Sequence, residues 1–133
     1  MKFLGIDYGT KRIGLALSDE DGKLAFPKET LKNDGDALNI IVDLIKVENV
    51  GEVVVGDSTD FSGAENKIVV EVETFISQLA GKIIIPIRKQ KEFLTSVEAR
   101  RYGNSKGDMR KSVDAGAAAL ILQRYLDKIN NKR

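Results

Sequence analysis

Apolar residues in the first thirty positions come in short runs broken by glycine and charge, the mark of strands joined by tight turns. Lys2 to Asp7 carries Phe3, Leu4 and Ile6, Gly9 to Arg12 makes a turn, and Ile13 to Leu17 resumes an extended pattern. These two runs read as a hairpin. Asp19-Glu20-Asp21-Gly22 supplies a second turn with Asp-Gly chemistry. A shorter third strand follows from Leu24 to Thr30, and Pro27, which has no N–H to give to a ladder, places it at the sheet edge.

The period then changes. Asn33 and Asp34 offer a helix cap, and Leu38, Ile41, Leu44 and Ile45 recur at three- and four-residue spacing, predicting a helix over Gly35–Val47. Glu52–Gly56 holds the continuous run Val53, Val54, Val55, typical of a strand covered on both faces, and a polar loop from Asp57 to Gly63 follows. Ala64–Leu79 reads as a second helix. Lys82–Ile87, with Ile83, Ile84 and Ile85, repeats the buried-strand signature. Thr95 or Ser96 caps a short helix to about Tyr102, Gly103–Arg110 reads as a loop, and a last helix runs from about Ser112 to Ile129. Three antiparallel strands followed by alternating helix and strand predict an α/β fold: a mixed five-stranded sheet, the last two strands parallel, with helices on both faces. Strands four and five are expected to flank strand one, so that their carboxyl ends open on a shared crevice.

The 133 residues fit one domain spanning 1–133, with no internal repeat. The chain has no Cys, no Trp and no His, which excludes disulfides, thiolate zinc sites, cysteine nucleophiles and every His-based triad. The opening residues show neither a signal peptide nor a membrane span, so a cytoplasmic protein is expected. Charge is uneven. Residues 1–81 carry a net −7, residues 82–111 a net +6 and residues 112–133 a net +2. The basic block, with Arg88, Lys89, Lys91, Arg100, Arg101, Lys106, Arg110 and Lys111, suits a phosphate backbone, and equally a solvated helix face.

Without His or Cys, carboxylates are the candidates for chemistry, and hard cations such as Mg²⁺ and Mn²⁺ take oxygen ligands. Asp7 interrupts an apolar strand, where an ionised group needs compensation; it also suits a turn cap. Asp114 precedes a strongly apolar helix face, and also suits the helix macrodipole at a first turn. Glu92 lies among Arg88, Lys89 and Lys91, where a salt bridge is the simpler account. Glu98 fits as the return partner of a capping box with Thr95. Brought together in one crevice, Asp7, Glu92 and Asp114 would hold two cations for phosphodiester cleavage. Lys11 and Arg12, on the turn after Asp7, are placed to touch phosphate or to stand as ordinary turn charges.

The stretch Gly5–Asp19 (GIDYGTKRIGLALSD) resembles the opening of the YqgF-type family of pre-16S rRNA nucleases and Holliday junction resolvases, within the ribonuclease H-like superfamily. Val53–Gly56 (VVVG), Leu94–Arg100 (LTSVEAR) and Lys111–Leu126 (KSVDAGAAALILQRYL) resemble its later motifs. The resemblance covers nearly the whole chain. It implies a ribonuclease H-like nuclease with Asp7, Glu92 and Asp114 as catalytic, metal-holding acids, and Mg²⁺ or Mn²⁺ as the ion. Lys11, Arg12, Arg100, Arg101, Arg110 and Lys111 are the expected substrate contacts. The substrate implied is the 5′ end of pre-16S rRNA, reached in ribosomal precursor particles, with junction DNA as the alternative. A resolvase would be expected to cut as a two-fold dimer; for this chain the expectation is monomer or homodimer. Two departures stand out. Lys91-Glu92-Phe93 replaces the family's Asp-Glu-Arg, and Gly56-Asp57-Ser58 replaces its Gly-Leu-Pro, with Asp57 read as a loop residue. The first departure makes a catalytically weak nucleic-acid-binding or ribosome-assembly module a competing expectation. Asp7–Thr10 also resembles the phosphate loop of actin-like ATPases, but those duplicate a domain that occurs once here.

Overall fold

The computed structural model describes residues 1–57, 66–91 and 108–131, the side chains of residues 57, 66–69, 91 and 108–113 excepted. Five strands, β1 (Lys2–Tyr8), β2 (Arg12–Ser18), β3 (Ala25–Lys32), β4 (Val50–Asp57) and β5 (Ile87–Lys91), form one sheet in the order β3-β2-β1-β4-β5. β1 pairs antiparallel with β2, and β2 with β3, while β4 runs parallel to β1 and β5 parallel to β4. Among the described residues three helices accompany it: α1 (Ala37–Val47), α2 (Asn66–Ala80) and α3 (Asp108–Asn130).

Side-chain alternation sorts the sheet into two faces. Leu4 and Ile6 of β1, Ile13 and Leu15 of β2, and Val53 and Val55 of β4 pack with Ala37, Ile41 and Ile45 of α1 and Phe75 and Leu79 of α2. The intervening residues Phe3, Ala16 and Val54 meet Ala118, Ile121, Leu122 and Leu126 of α3. Both faces are therefore covered. This is why Val53–Val55 is fully buried without alternation, as the sequence pattern predicts. Among the described residues no helix is long and apolar enough to cross a membrane.

Several sequence expectations are corrected. The Lys82–Ile87 strand starts five residues late, because Pro86 cannot donate to a ladder and only its carbonyl is used, accepting from Val53 N at 3.0 Å. Ile83, Ile85 and Ile87 pack partly against the first core, whereas Ile84 is 102% exposed, so this run alternates instead of being buried throughout. β5 lies outside β4 and does not touch β1; the neighbours of β1 are β2 and β4. Asp57 closes β4 and does not open a loop. α1 starts at Ala37, with Asp36 at the cap position, and Asp34 contributes by accepting the Asp36 N–H at 3.0 Å. α3 begins at Asp108, inside the segment read as loop; residues 103–107 and the short helix expected at 96–102 lie outside the described residues.

Candidate functional site

Asp7 stands one residue before the end of β1, and the odd positions Phe3, Gly5 and Asp7 share the face that α3 covers. Directly opposite Asp7 on β2 is Gly14. Here the absence of a side chain matters: a Cβ on Gly14 would lie 2.0 Å from the Asp114 carbonyl oxygen and 2.5 Å from its carbonyl carbon. Gly5 plays the same part further back, where a Cβ would meet Leu122 Cβ at 2.8 Å and the Ala118 oxygen at 3.0 Å. Residues 114, 118 and 122 recur every fourth position and line one side of a helix. α3 is thus seated on glycines of two adjacent strands, and its axis carries Asp114 to the end of the sheet where Asp7 is.

Asp114 is held there by a second contact. Arg12 Nε donates to Asp114 Oδ2 at 2.6 Å, with the two side chains 33% and 26% exposed. Arg12 is therefore no ordinary exposed turn charge. Asp114 is the seventh residue of α3, beyond the first turn within which the macrodipole acts. The electrostatic account of an acid at a helix start loses its force here, and the ion pair with Arg12 takes its place. Asp7 is partly buried and also has a polar interaction within the fold.

The other expected acids and bases fall differently. Glu92 lies outside the described residues; it follows Lys91, the last residue of β5. Arg100 and Arg101 lie outside them as well, as do Glu98 and Lys106. Arg110 and Lys111 are in the first turn of α3, with only their backbone described. Lys11 is exposed on the turn between β1 and β2. Of the basic block, Lys89 is bound to Glu73 of α2, and Arg88 Nε lies 3.8 Å from Glu52 Oε2. Those two serve packing between β5 and its neighbours. Sequence reasoning passed over Gly14, Thr30 and Lys32; their signal is the β2–β3 register, which puts Thr30 opposite Gly14 and Lys32 opposite Arg12.

A carboxylate on β1 and another on the helix that covers β1, at the same end of the sheet, suit a hard, oxygen-seeking cation. Among the described residues no group of three or more His, Cys, Asp or Glu is gathered closely enough to hold an ion alone. Asp7 and Asp114 would form part of a donor set completed by a further acid or by water.

The family model described as "RuvX: Holliday junction resolvase" matches residues 1–128. The chain belongs to that family. It is 37% identical to a protein of Lawsonia intracellularis named "Putative pre-16S rRNA nuclease", over 100% of this chain and 98% of the relative. A protein of the same name from Maridesulfovibrio salexigens is 33% identical over 95% of this chain and 98% of its own. Among solved structures, RuvC of T. thermophilus in complex with a Holliday junction substrate aligns with a TM-score of 0.64 at 15% identity, covering 98% of this chain and 96% of that one. The Fowlpox virus resolvase bound to Holliday junction DNA aligns with a TM-score of 0.56 at 12% identity, covering 97% and 99%. At such identities the likeness concerns the fold, which is the ribonuclease H-like sheet of the RuvX family and its structural neighbours.

Proposed function

We propose that this RuvX-family chain is a nuclease, a hydrolase of phosphodiester bonds in structured nucleic acid, whose reaction centre is built on Asp7 and Asp114. The observation that carries this is the seating of α3 on Gly14: it places the Asp114 segment over the residue directly across the strand from Asp7. Glu92, following β5, is the third acid of the proposal. Mg²⁺ or Mn²⁺ held by these oxygens would lower the pKa of a water and neutralise charge on the phosphate.

The chain's own residues do the rest. Asp7 is fixed by the β1–β2 ladder, so its carboxylate is presented from a rigid element, which keeps donor positions reproducible. Arg12 orients Asp114 through the 2.6 Å charge-assisted hydrogen bond. Lys11, and the bases Arg100, Arg101, Arg110 and Lys111, supply positive charge for the backbone, a contact that positions the strand without reading sequence.

The names of the relatives favour pre-16S rRNA as substrate, and its 5′ end, met in a ribosomal precursor, is the position this reading assigns. Junction DNA is the second reading, favoured by the family description and by the DNA-bound structural neighbours. Incubating the protein and Mn²⁺ with labelled precursor rRNA and with a labelled four-way junction, in parallel, decides between them. A specific cut in the RNA supports the first reading. Symmetric cuts in the junction, together with a dimeric mass in solution, support the second.

A further inference from the structure

The register of the antiparallel strands extends the site beyond the acids. Asp7 is opposite Gly14 and Gly14 is opposite Thr30, so these three form one row across β1, β2 and β3. In the next row Arg12 is opposite Lys32. Directly opposed residues project from the same side of a sheet, so Lys32 stands on the α3 face, in line with Arg12. Leu31, its neighbour, points the other way into the first core.

A groove of about 320 Å³ opens here, lined by Lys11, Arg12, Thr30, Leu31 and Lys32. Among the described residues no carboxylate lines it. Its two ends are tied together: Asn33 N donates to the Lys11 carbonyl at 3.0 Å, and Asn33 Nδ2 donates to the Gly9 carbonyl at 2.7 Å. The turn that carries Lys11 is therefore fixed against the end of β3.

Two cations directly opposite one another across a ladder destabilise it. The charge of Arg12 is engaged by Asp114, whereas among the described residues neither Lys11 nor Lys32 is within ion-pair distance of a carboxylate. Two ammonium groups that have no carboxylate partner among the described residues and flank one groove are suited to an anion with several oxygens.

We infer that Lys32, with Lys11 across the groove, binds a backbone phosphate of the nucleic acid, making the edge of β3 part of the substrate track. β3 lies two strand spacings from β1, roughly 9–10 Å. The phosphate gripped is thus a neighbour of the one presented to Asp7, and the contact sets how the strand crosses the site. This inference rests on the nuclease reading.

The test is binding of a labelled four-way junction and of a labelled precursor rRNA fragment, followed by fluorescence anisotropy in EDTA so that no strand is cut. Lys32→Glu is compared with wild type and with Lys28→Glu, an exposed lysine of the same strand outside the groove. Equal denaturation midpoints establish that both variants fold. Lys32→Glu is expected to lose roughly tenfold in affinity and to flatten the dependence of log affinity on log salt by about 1, with Lys28→Glu unchanged. Equal behaviour of the two variants overturns the phosphate site while leaving the nuclease reading intact. A wild-type chain that binds neither probe overturns both.

Discussion

Arg12 and Asp114, 102 positions apart in sequence, meet through a single hydrogen bond of 2.6 Å from Arg12 Nε to Asp114 Oδ2. The pair joins the start of β2 to the second turn of α3 at the end of the sheet where Asp7 lies. With about a third of the Arg12 side chain exposed, solvent screening limits its worth to stability to about 1 kcal/mol or less. Its larger effect is electrostatic. While no cation is bound, the guanidinium balances a carboxylate that would otherwise add to the negative charge around Asp7.

Arg12→Gln should therefore change melting only slightly but tighten Mn²⁺ binding several-fold, since the cation no longer competes with a fixed positive charge. Isothermal titration calorimetry on the nucleic-acid-free protein reads this directly. Unchanged or weaker Mn²⁺ binding would show that Arg12 does not compete for Asp114.

Gly14→Ala should be the most damaging glycine-to-alanine change among the described residues, since its added Cβ makes the shortest contact. The added methyl would overlap the Asp114 carbonyl, which is helix backbone and cannot rotate away, so α3 must lift from the sheet. Overpacking of this kind costs about 1–3 kcal/mol and more where backbone must move. Gly116→Ala, two residues along the same helix, has nothing within 4 Å of the new Cβ and should stabilise by up to about 1 kcal/mol through helix propensity. Urea denaturation of the two variants distinguishes a seating glycine from a dispensable one.

A buried polar contact fixes the other end of α3. Tyr125 Oη donates to Glu52 Oε2 at 2.6 Å, and Glu52 is 8% exposed in the middle of the sheet. Burial and the neighbouring carboxylate push the Tyr125 hydroxyl up to about 12. Because the folded protein keeps this proton while the unfolded chain releases it near 10, the contribution to stability is complete below pH 10 and disappears between about pH 10 and 12. Tyr125→Phe should remove that dependence and, by leaving Glu52 short of a donor, lower stability by about 1–3 kcal/mol at neutral pH. Denaturation midpoints of wild type and variant, compared from pH 9 to 12, should converge as pH rises.

Much of this fold is legible in the residue pattern because hydrophobic period and turn chemistry act locally. The hairpin of β1 and β2, the Pro27 edge strand and the buried Val53–Val55 run follow from that logic alone. Isoleucines 83–85 mislead because continuous apolar residues look alike whether a strand is covered on both faces or passes along an edge; Pro86 was the decisive signal. The start of α3 was misplaced because charge and glycine before Lys111 resemble a loop. The acids Asp7 and Asp114 were identified as out-of-place charges. What no local pattern gives is the glycine seat and the Arg12–Asp114 pair, since both depend on register between segments a hundred residues apart.

The most direct test of the account is cleavage of labelled precursor rRNA and four-way junction DNA with Mn²⁺ by wild type, Asp7→Asn and Asp114→Asn, each matched for denaturation midpoint. The account predicts a specific cut by wild type that falls at least about a hundredfold, on the order of 3 kcal/mol in barrier, in both variants while nucleic-acid binding persists. Undiminished cutting by folded Asp7→Asn and Asp114→Asn would contradict it.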